Sequence, residues 1–207
     1  MGRTSQQTGM WAVAVSTLLL SAPAHADLQS SMGVGSYVEP LRWTGPGELD
    51  PAEMTLSDTA YGAVIPLRLT WTQDPTQPRA LGITTGLTIG LGGSTLGEST
   101  ASGHFMLEVL GRVAVYGSPT WSLQLGVGGA LEHPVRISTN GVLSNDNVEP
   151  YGTLAGGVAA ASVTLFGDNQ DYTFDLRSGV LVHDNLIAIP VVLTASLVWG
   201  RSRPAAR

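Results

Sequence analysis

The sequence contains no cysteine and few charges, and each shortage excludes a class of protein. Because there are no thiols, disulfide bonds, thiolate metal sites and cysteine nucleophiles are all excluded. Charged residues make up 13% of the 207 residues, about half the roughly 25% of an ordinary soluble domain. The net charge of −6 lacks the basic character of a nucleic-acid footprint, so no nucleic-acid partner is expected. Something other than charge must therefore cover the surface of this chain.

Long apolar runs are missing as well, because no stretch after residue 26 approaches the roughly 18 apolar residues of a transmembrane helix. A membrane role would then require a closed β-barrel, which satisfies every backbone group internally. The N-terminus has the features of a secretory signal peptide: Arg3, an apolar core from Met10 to Leu20, and Ala24-His25-Ala26 as a cleavage site. We expect cleavage after Ala26.

The stretch from Tyr61 to Trp71 alternates with the period of two that is typical of a β-strand. Its apolar face consists of Tyr61, Ala63, Ile65, Leu67, Leu69 and Trp71. Eleven residues rising roughly 3.3 Å each and tilted by roughly 45° cover about the 25 Å apolar band of an outer-membrane barrel. This pattern predicts a transmembrane strand.

The segment from Leu81 to Gly92 shows the clearest alternation in the chain, and its second face is small and uncharged. That face consists of Gly82, Thr84, Gly86, Thr88, Gly90 and Gly92. In a soluble sheet the solvent face normally carries charged side chains. A face of this kind favours a barrel that points its small residues inward.

Eight strand candidates follow from the same pattern. They span residues 28–39, 61–72, 81–92, 104–116, 121–132, 151–166, 172–183 and 187–200. The pattern leaves open which faces of the first and sixth candidates point inward, and Pro190 predicts a local distortion in the eighth. The sequence therefore predicts an all-β protein, an eight-stranded antiparallel transmembrane β-barrel over residues 27–200, followed by a periplasmic tail over residues 201–207.

Long and short connections alternate between these candidates, as they do in outer-membrane barrels. The long ones are an acidic loop from Pro40 to Thr59, a polar loop from Gly93 to Gly103, and a connection from His133 to Pro150. In the last of these, Asn140-Gly141 predicts a short hairpin outside the bilayer. An even strand count places both chain ends on the periplasmic side.

Aromatic residues cluster at the ends of the candidates and predict two girdles at the membrane interfaces. The predicted girdle residues are Tyr61, Trp71, Phe105, Tyr116, Trp121, Tyr151, Phe166, Tyr172 and Trp199. Tyr61, Phe105 and Tyr151 lie at the long-loop ends, and the others lie at the short-turn ends. By this pattern the chain resembles small eight-stranded outer-membrane proteins of the OmpA, OmpX and OmpW types.

The resemblance implies a location in the outer membrane of a Gram-negative-type envelope, with outer-membrane lipid and the assembly machinery as partners. Such barrels commonly end on an aromatic residue that the assembly machinery reads. Here eight residues follow Trp199, so Val192 to Trp199 is expected to serve as an internal version of that signal. The sequence does not identify an external partner.

Five charged residues fall on predicted inward faces, namely Arg68, Glu108, Arg112, Asp175 and Arg177. An eight-stranded barrel is just wide enough for side chains to fill it, and buried charges must be paired. We expect a lumen ion-pair network in which Arg68 pairs with Glu108 or Asp175. A gated conduit for small solutes is the alternative.

No catalytic, metal or cofactor site is predicted. Glu132 and His133 are adjacent in a strand and point to opposite faces. Ser102 and His104 can share a face, but nothing marks an acidic orienter or oxyanion donors for them. His183-Asp184 is the remaining grouping, and the acidic residues between Glu48 and Asp58 lack the ligand spacing of a calcium loop.

The most favoured function is a non-enzymatic outer-membrane barrel whose exposed loops have a structural or surface-interaction role. One alternative is a narrow channel for small or hydrophobic solutes. Another is a soluble periplasmic ligand binder of lipocalin type, which would turn its apolar faces inward.

Overall fold

Ten antiparallel strand segments form the fold in a computed structural model of the chain, which describes residues 27–46, 53–95, 100–138, 148–150, 152–183 and 186–200. The segments are β1 (Asp27–Pro46), β2 (Glu53–Thr72), β3 (Leu81–Ser94), β4 (Thr100–Gly117), β5 (Trp121–Ser138), β6 (Val148–Pro150), β7 (Leu154–Leu165), β8 (Asp171–His183), β9 (Leu186–Ala188) and β10 (Val191–Trp199). Among the described residues, no helix is long and apolar enough to cross a membrane.

The ten segments make up the eight strands of one closed barrel. β6 and β7 both pair with β5, so these two segments form one interrupted barrel strand. β9 and β10 both pair with β1 and β8, so they form another. β10 closes the barrel against β1, from Ser30 opposite Trp199 to Val38 opposite Val191. The predicted fold class, an eight-stranded antiparallel barrel, is confirmed.

A proline lies at the interruption between β9 and β10. Ile189 and Pro190 separate β9 from β10, where the sequence predicts a distortion. Ile189 N donates to Pro40 O at 3.0 Å, so the carbonyl of Pro40 points toward this break. A strand residue directs its N–H and C=O to the same side, so the N–H that Pro40 lacks would also have pointed there. The pairing of β1 with β2 continues through Pro40 without a gap.

The strands alternate as a barrel in lipid requires, with apolar side chains outward and small or polar side chains inward. In β10, Leu193 is 55% exposed whereas Thr194 is 2% exposed. The faces that the sequence leaves open are assigned in the same way: Tyr37 and Glu39 point inward from β1, and Ser162 points inward from β7.

The strands continue into segments that the sequence assigns to loops, and three loop predictions are wrong in extent. Residues 40–46 pair with residues 53–59, residues 100–103 lie in β4, and residues 133–138 lie in β5. The alternation of apolar and polar residues fades in these segments, because a strand beyond the lipid need not present an apolar face. The predicted hairpin at Asn140-Gly141 lies outside the described residues.

A bulge in β4 sets the orientation of one predicted girdle residue. Simple alternation places Tyr116 on the inward face, but the register with β5 shifts between Ala114 and Tyr116. The extra residue turns the Tyr116 side chain outward, where it is 44% exposed. There it stacks on Trp121 with ring centroids 4.2 Å apart.

The expected signal peptide over residues 1–26 and the expected tail over residues 201–207 lie outside the described part of the chain, as does Tyr151.

Candidate functional site

The five predicted lumen charges come together in one layer of the barrel interior, held by inward positions of β2, β4 and β8. Across the sheet, Arg68 lies opposite Gly86, and Gly86 lies opposite Glu108. A Cβ atom at Gly86 would lie 2.9 Å from Glu108 Oε1 and 3.0 Å from Arg68 Cγ. The glycine therefore leaves the space in which these two long side chains meet.

Small residues separate the other two arginines in the same way. Arg112 lies opposite Gly126, Gly126 opposite Ala160, and Ala160 opposite Arg177. A Cβ atom at Gly126 would lie 3.1 Å from Arg112 Cγ. Glycine and alanine on the intervening strands thus make room for charged side chains from their neighbours.

Asp175 is the common acceptor of this layer. Its Oδ2 lies 2.9 Å from Arg68 Nη1, and its Oδ1 lies 3.2 Å from Arg112 Nη2 and 3.7 Å from Arg177 Nη2. Ser162 donates its hydroxyl to Asp175 Oδ1 and accepts a hydrogen bond of 2.7 Å from Arg112 Nη1. Both carboxylate oxygens are therefore engaged by cations.

Glu108 is the second acceptor of the layer. Its Oε1 lies 3.5 Å from Arg68 Nε and also contacts Arg177 Nη1. Arg68 donates two further hydrogen bonds of 3.3 Å to Thr194 Oγ1. Three arginines thus face two carboxylates, and the layer carries an excess of one positive charge.

Sequence reasoning did not single out the two hydroxyl partners, Ser162 and Thr194. Ser162 lies in an alanine-rich strand whose faces the alternation does not distinguish. Thr194 could have been found, since it lies on the inward parity of a strand with a clear apolar outer face.

A small cavity lies in the lumen beside the charged layer. It measures about 30 Å³ and lies toward the short-turn end, bordered by Arg68, Arg112, Gln124 and Phe166. A water molecule needs roughly 10–15 Å³ measured in this way, so the cavity has room for about two waters. Phe166 was predicted as a girdle residue, but it continues the inward parity of β7 and borders this cavity instead.

A second buried cluster lies in the half of the lumen nearer the long loops, where Glu39, His104 and Glu132 meet. His104 Nδ1 lies 2.9 Å from Glu39 Oε2 and 2.7 Å from Glu132 Oε1. All three residues are 0% exposed. β1 lies three positions from β4 in the sheet order, so Glu39 reaches its partners across the lumen.

Tyr37 and Ser102 support this cluster. The Tyr37 ring stacks on His104 with centroids 4.9 Å apart. Ser102 Oγ donates to Gly93 O at 2.8 Å, which makes Tyr37 OH the donor in its 2.7 Å hydrogen bond with Ser102 Oγ. The Ser102 hydroxyl is therefore engaged with these two groups.

Sequence reasoning placed His104 and Glu132 near the long loops but did not identify Glu39 as their partner. Pro40 follows Glu39, and the strand was expected to end there. The available signal was parity, because Glu39 and the buried Tyr37 share one face of β1. His183, also expected near the long loops, lies beside Gly152 and is exposed.

An apolar layer separates the two charged clusters. On the inward face of β4, Met106 lies between His104 and Glu108. Val64, Val158 and Val192 are buried in the same core cluster as Met106. These apolar side chains therefore lie between the two charged clusters in the lumen.

Seven of the predicted girdle aromatics lie on the outer surface of the barrel. Tyr61 and Phe105 lie at the long-loop end, with exposures of 51% and 42%. At the short-turn end lie Trp71, Tyr116, Trp121, Tyr172 and Trp199. Trp71 is the least exposed of the seven, being half-buried.

Comparisons with known proteins identify the fold. No protein-family model matches the chain, and no curated protein sequence matches it. Among solved structures, Neisserial surface protein A (NspA) aligns with a TM-score of 0.57 and 11% identity over 85% of this chain and 99% of NspA. The attachment invasion locus protein Ail of Yersinia pestis aligns with a TM-score of 0.45 and 11% identity, over 83% of this chain and 98% of Ail.

The N-terminal β-barrel domain of Pseudomonas aeruginosa OprF gives a TM-score of 0.42 and 8% identity, over 83% of this chain and 97% of that domain. These structures are small eight-stranded outer-membrane β-barrels, the class that the sequence pattern resembles. The likeness to NspA extends over nearly its whole length and confirms the outer-membrane barrel fold.

Proposed function

We propose that the chain is an outer-membrane barrel with a sealed lumen, which acts through its exposed long-loop end and is neither a conduit nor an enzyme. The observation that carries this proposal is the filled interior. Arg177 and Glu108 are 1% and 2% exposed, and the cavity beside their layer measures about 30 Å³. A solute path would have to break buried ion pairs, which leaves charges without partners in a low dielectric.

The outer surface supports a location in lipid. Large apolar side chains cover it, including Val34 at 68%, Leu91 at 71% and Val127 at 70% exposure. A patch of this extent on a soluble protein would be an aggregation hazard. The soluble ligand-binding alternative requires the opposite orientation, with these faces turned inward.

The strands at the long-loop end support a surface role. β1 and β2 contain 20 residues each, about twice the 9–11 residues that a spanning strand needs. Their pairing continues for eight residues beyond Val38 and Tyr61, to Pro46 opposite Glu53, which amounts to about 26 Å of extra strand. As far as Trp43 the extension is also paired with β9, so the barrel wall itself continues past the girdle and presents a surface to the exterior.

The contacts of Ser102 support a non-enzymatic role. Its hydroxyl is engaged by Tyr37 and by the Gly93 carbonyl. His104 directs Nδ1 at two carboxylates. An acyl-transfer centre would need the serine to donate to the histidine.

Fractionation and liposome swelling test the proposal together. We expect the folded protein in the outer-membrane fraction, with gel migration that changes on boiling, and no solute-dependent swelling of liposomes that contain it. Arg112→Ala is the matched variant, since it removes one lumen side chain and leaves Arg68 and Arg177 in place. Recovery in the aqueous fraction would contradict the location, and swelling by the wild type that Arg112→Ala increases would establish the narrow channel instead.

A further inference from the structure

We propose that Glu39, His104 and Glu132 form a binding site for a divalent transition-metal ion of the Zn²⁺ type. One oxygen from each carboxylate and one ring nitrogen lie within 4.8 Å of one another. Imidazole nitrogen and carboxylate oxygen are ordinary zinc ligands, and sites with three protein ligands complete their coordination with water. The donor set therefore suits the ion in number and in kind.

The hydrogen-bond count leaves one carboxylate without a donor among the described residues. His104 Nδ1 hydrogen-bonds to Glu39 Oε2 at 2.9 Å. Glu132 Oε1 lies 2.7 Å from the same nitrogen, yet neither oxygen of Glu132 completes a hydrogen bond of good geometry with any described residue. One N–H cannot serve two carboxylates fully, and a buried carboxylate without a donor is costly. His104 Nε2 also has no hydrogen-bond partner among the described residues.

Charge balance favours a dication over other occupants. Two carboxylates and a neutral imidazole carry a charge of −2, which a divalent ion cancels within the cluster. The apolar layer around Met106 separates the cluster from the excess arginine below it. The imidazole ligand favours Zn²⁺ over Mg²⁺ and Ca²⁺, which prefer all-oxygen sites.

The distances define what binding must change. Ligands of one tetrahedral zinc ion lie roughly 3.3–3.5 Å apart, given zinc–ligand bonds of about 2.0–2.2 Å. His104 Nδ1 now lies 2.9 Å from Glu39 Oε2 and 2.7 Å from Glu132 Oε1, distances that suit a shared proton. When a zinc ion replaces that proton, each carboxylate must move away from the imidazole by roughly 0.5 Å. Side-chain rotation supplies a shift of this size without moving the strands.

Zinc titration of the full chain, refolded in detergent micelles and stripped with EDTA, tests the site. We expect saturable binding of one Zn²⁺ per chain, a higher unfolding temperature with zinc, and a visible absorption band when Co²⁺ replaces it. Glu132→Gln keeps the side-chain shape, and we expect it to weaken zinc binding at least about tenfold, since loss of even an outer-shell partner costs about 10–100-fold. An excess of Mg²⁺ should not displace the zinc.

His133→Ala and His183→Ala are the matched controls, because both histidines are exposed and lie outside the cluster. They should bind zinc as the wild type does, and heat-modifiable migration identifies which variants are folded. Folded wild type without saturable binding would overturn the site. So would zinc binding that survives in Glu132→Gln, that is lost in His133→Ala, or that Mg²⁺ displaces. These measurements use micelles and do not depend on solute permeability. The zinc-site proposal and the sealed-lumen proposal can therefore be contradicted separately.

Discussion

Of the five lumen charges, Asp175 has the most polar partners, because three arginines and a serine contact its two oxygens. With Glu108 it balances two of the three positive charges of the layer. An amide at this position would keep the shape of the side chain and remove the charge. The arginines would then face a single carboxylate in a buried layer.

We expect Asp175→Asn to lower the free energy of unfolding by about 3–5 kcal/mol, the usual cost of breaking a buried ion pair by removing one partner. Urea unfolding in micelles, followed by tryptophan fluorescence, measures the change. Asp168→Asn is the control, because Asp168 is exposed in the turn before β8, and we expect a change within about 0.5 kcal/mol. Equal stability of the two variants would show that Asp175 does not hold the layer together.

Among the strands, β3 matters chiefly for the room that its small inward residues leave for side chains of its neighbours. Its inward face alternates glycine and threonine, and Gly86 lies between Arg68 and Glu108 in the sheet. The outward face carries the leucines and isoleucines that cover the barrel. One strand thus serves lipid on one side and the ion pairs on the other.

Gly86→Ala should lower the free energy of unfolding by about 1–3 kcal/mol, the usual cost of overpacking. The added Cβ would lie 2.9 Å from Glu108 Oε1, which the ion pairs prevent from moving away freely. Gly111→Ala is the matched control on the outward face, where the nearest atom would be Val127 O at 3.8 Å. Thermal unfolding of both variants by circular dichroism checks this, and a Gly86→Ala protein as stable as Gly111→Ala would contradict the space argument.

Alternation predicted those features that follow strict parity within a strand. It assigned Arg68 and Arg112 to the lumen and Tyr61 to the outer surface, and the structure has them there. Alternation alone would turn Tyr116 inward, because a bulge shifts parity by one residue without a sequence signal as plain as a proline; its position at the strand end is what predicted the girdle. Alternation did not identify Glu39 as a site residue, because Glu39 lies at the end of the first strand candidate. Beyond the lipid a strand loses the apolar face by which the pattern recognises it.

Contacts across the barrel could not be predicted from the sequence. Alternation within a strand shows which face a residue lies on, but it does not show the position of that residue along the barrel axis. The pairing of Arg68 with Asp175 depends on the stagger of β2 against β8, which lie on different sides of the lumen. Closure by β1 and β10 fixes that stagger. The meeting of Glu39 with His104 has the same origin.

At the scale of the whole molecule, the lumen contains two charged layers of opposite excess. The layer around Asp175 has an excess of one positive charge, while two ionised carboxylates with one imidazole sum to a negative charge whether or not the imidazole is protonated. Glu132 lies opposite Met106 and Arg112 lies opposite Gly126, so six residues of strand, about 20 Å, separate the backbone positions of these two charges. At an effective dielectric constant of about 20, two unit charges at this separation interact by about 0.8 kcal/mol.

A double-mutant cycle between Arg112→Gln and Glu132→Gln measures this attraction. EDTA is present so that no metal neutralises the cluster of Glu39, His104 and Glu132. Each single variant removes the attraction between Arg112 and Glu132, whereas the double variant loses that attraction only once. We therefore expect the double variant to be more stable than the sum of the single effects predicts, by about 0.8 kcal/mol. Screening by salt should be weak, because both layers are buried. Additivity within about 0.3 kcal/mol would mean that the Met106 layer isolates the two clusters and that each is neutralised alone.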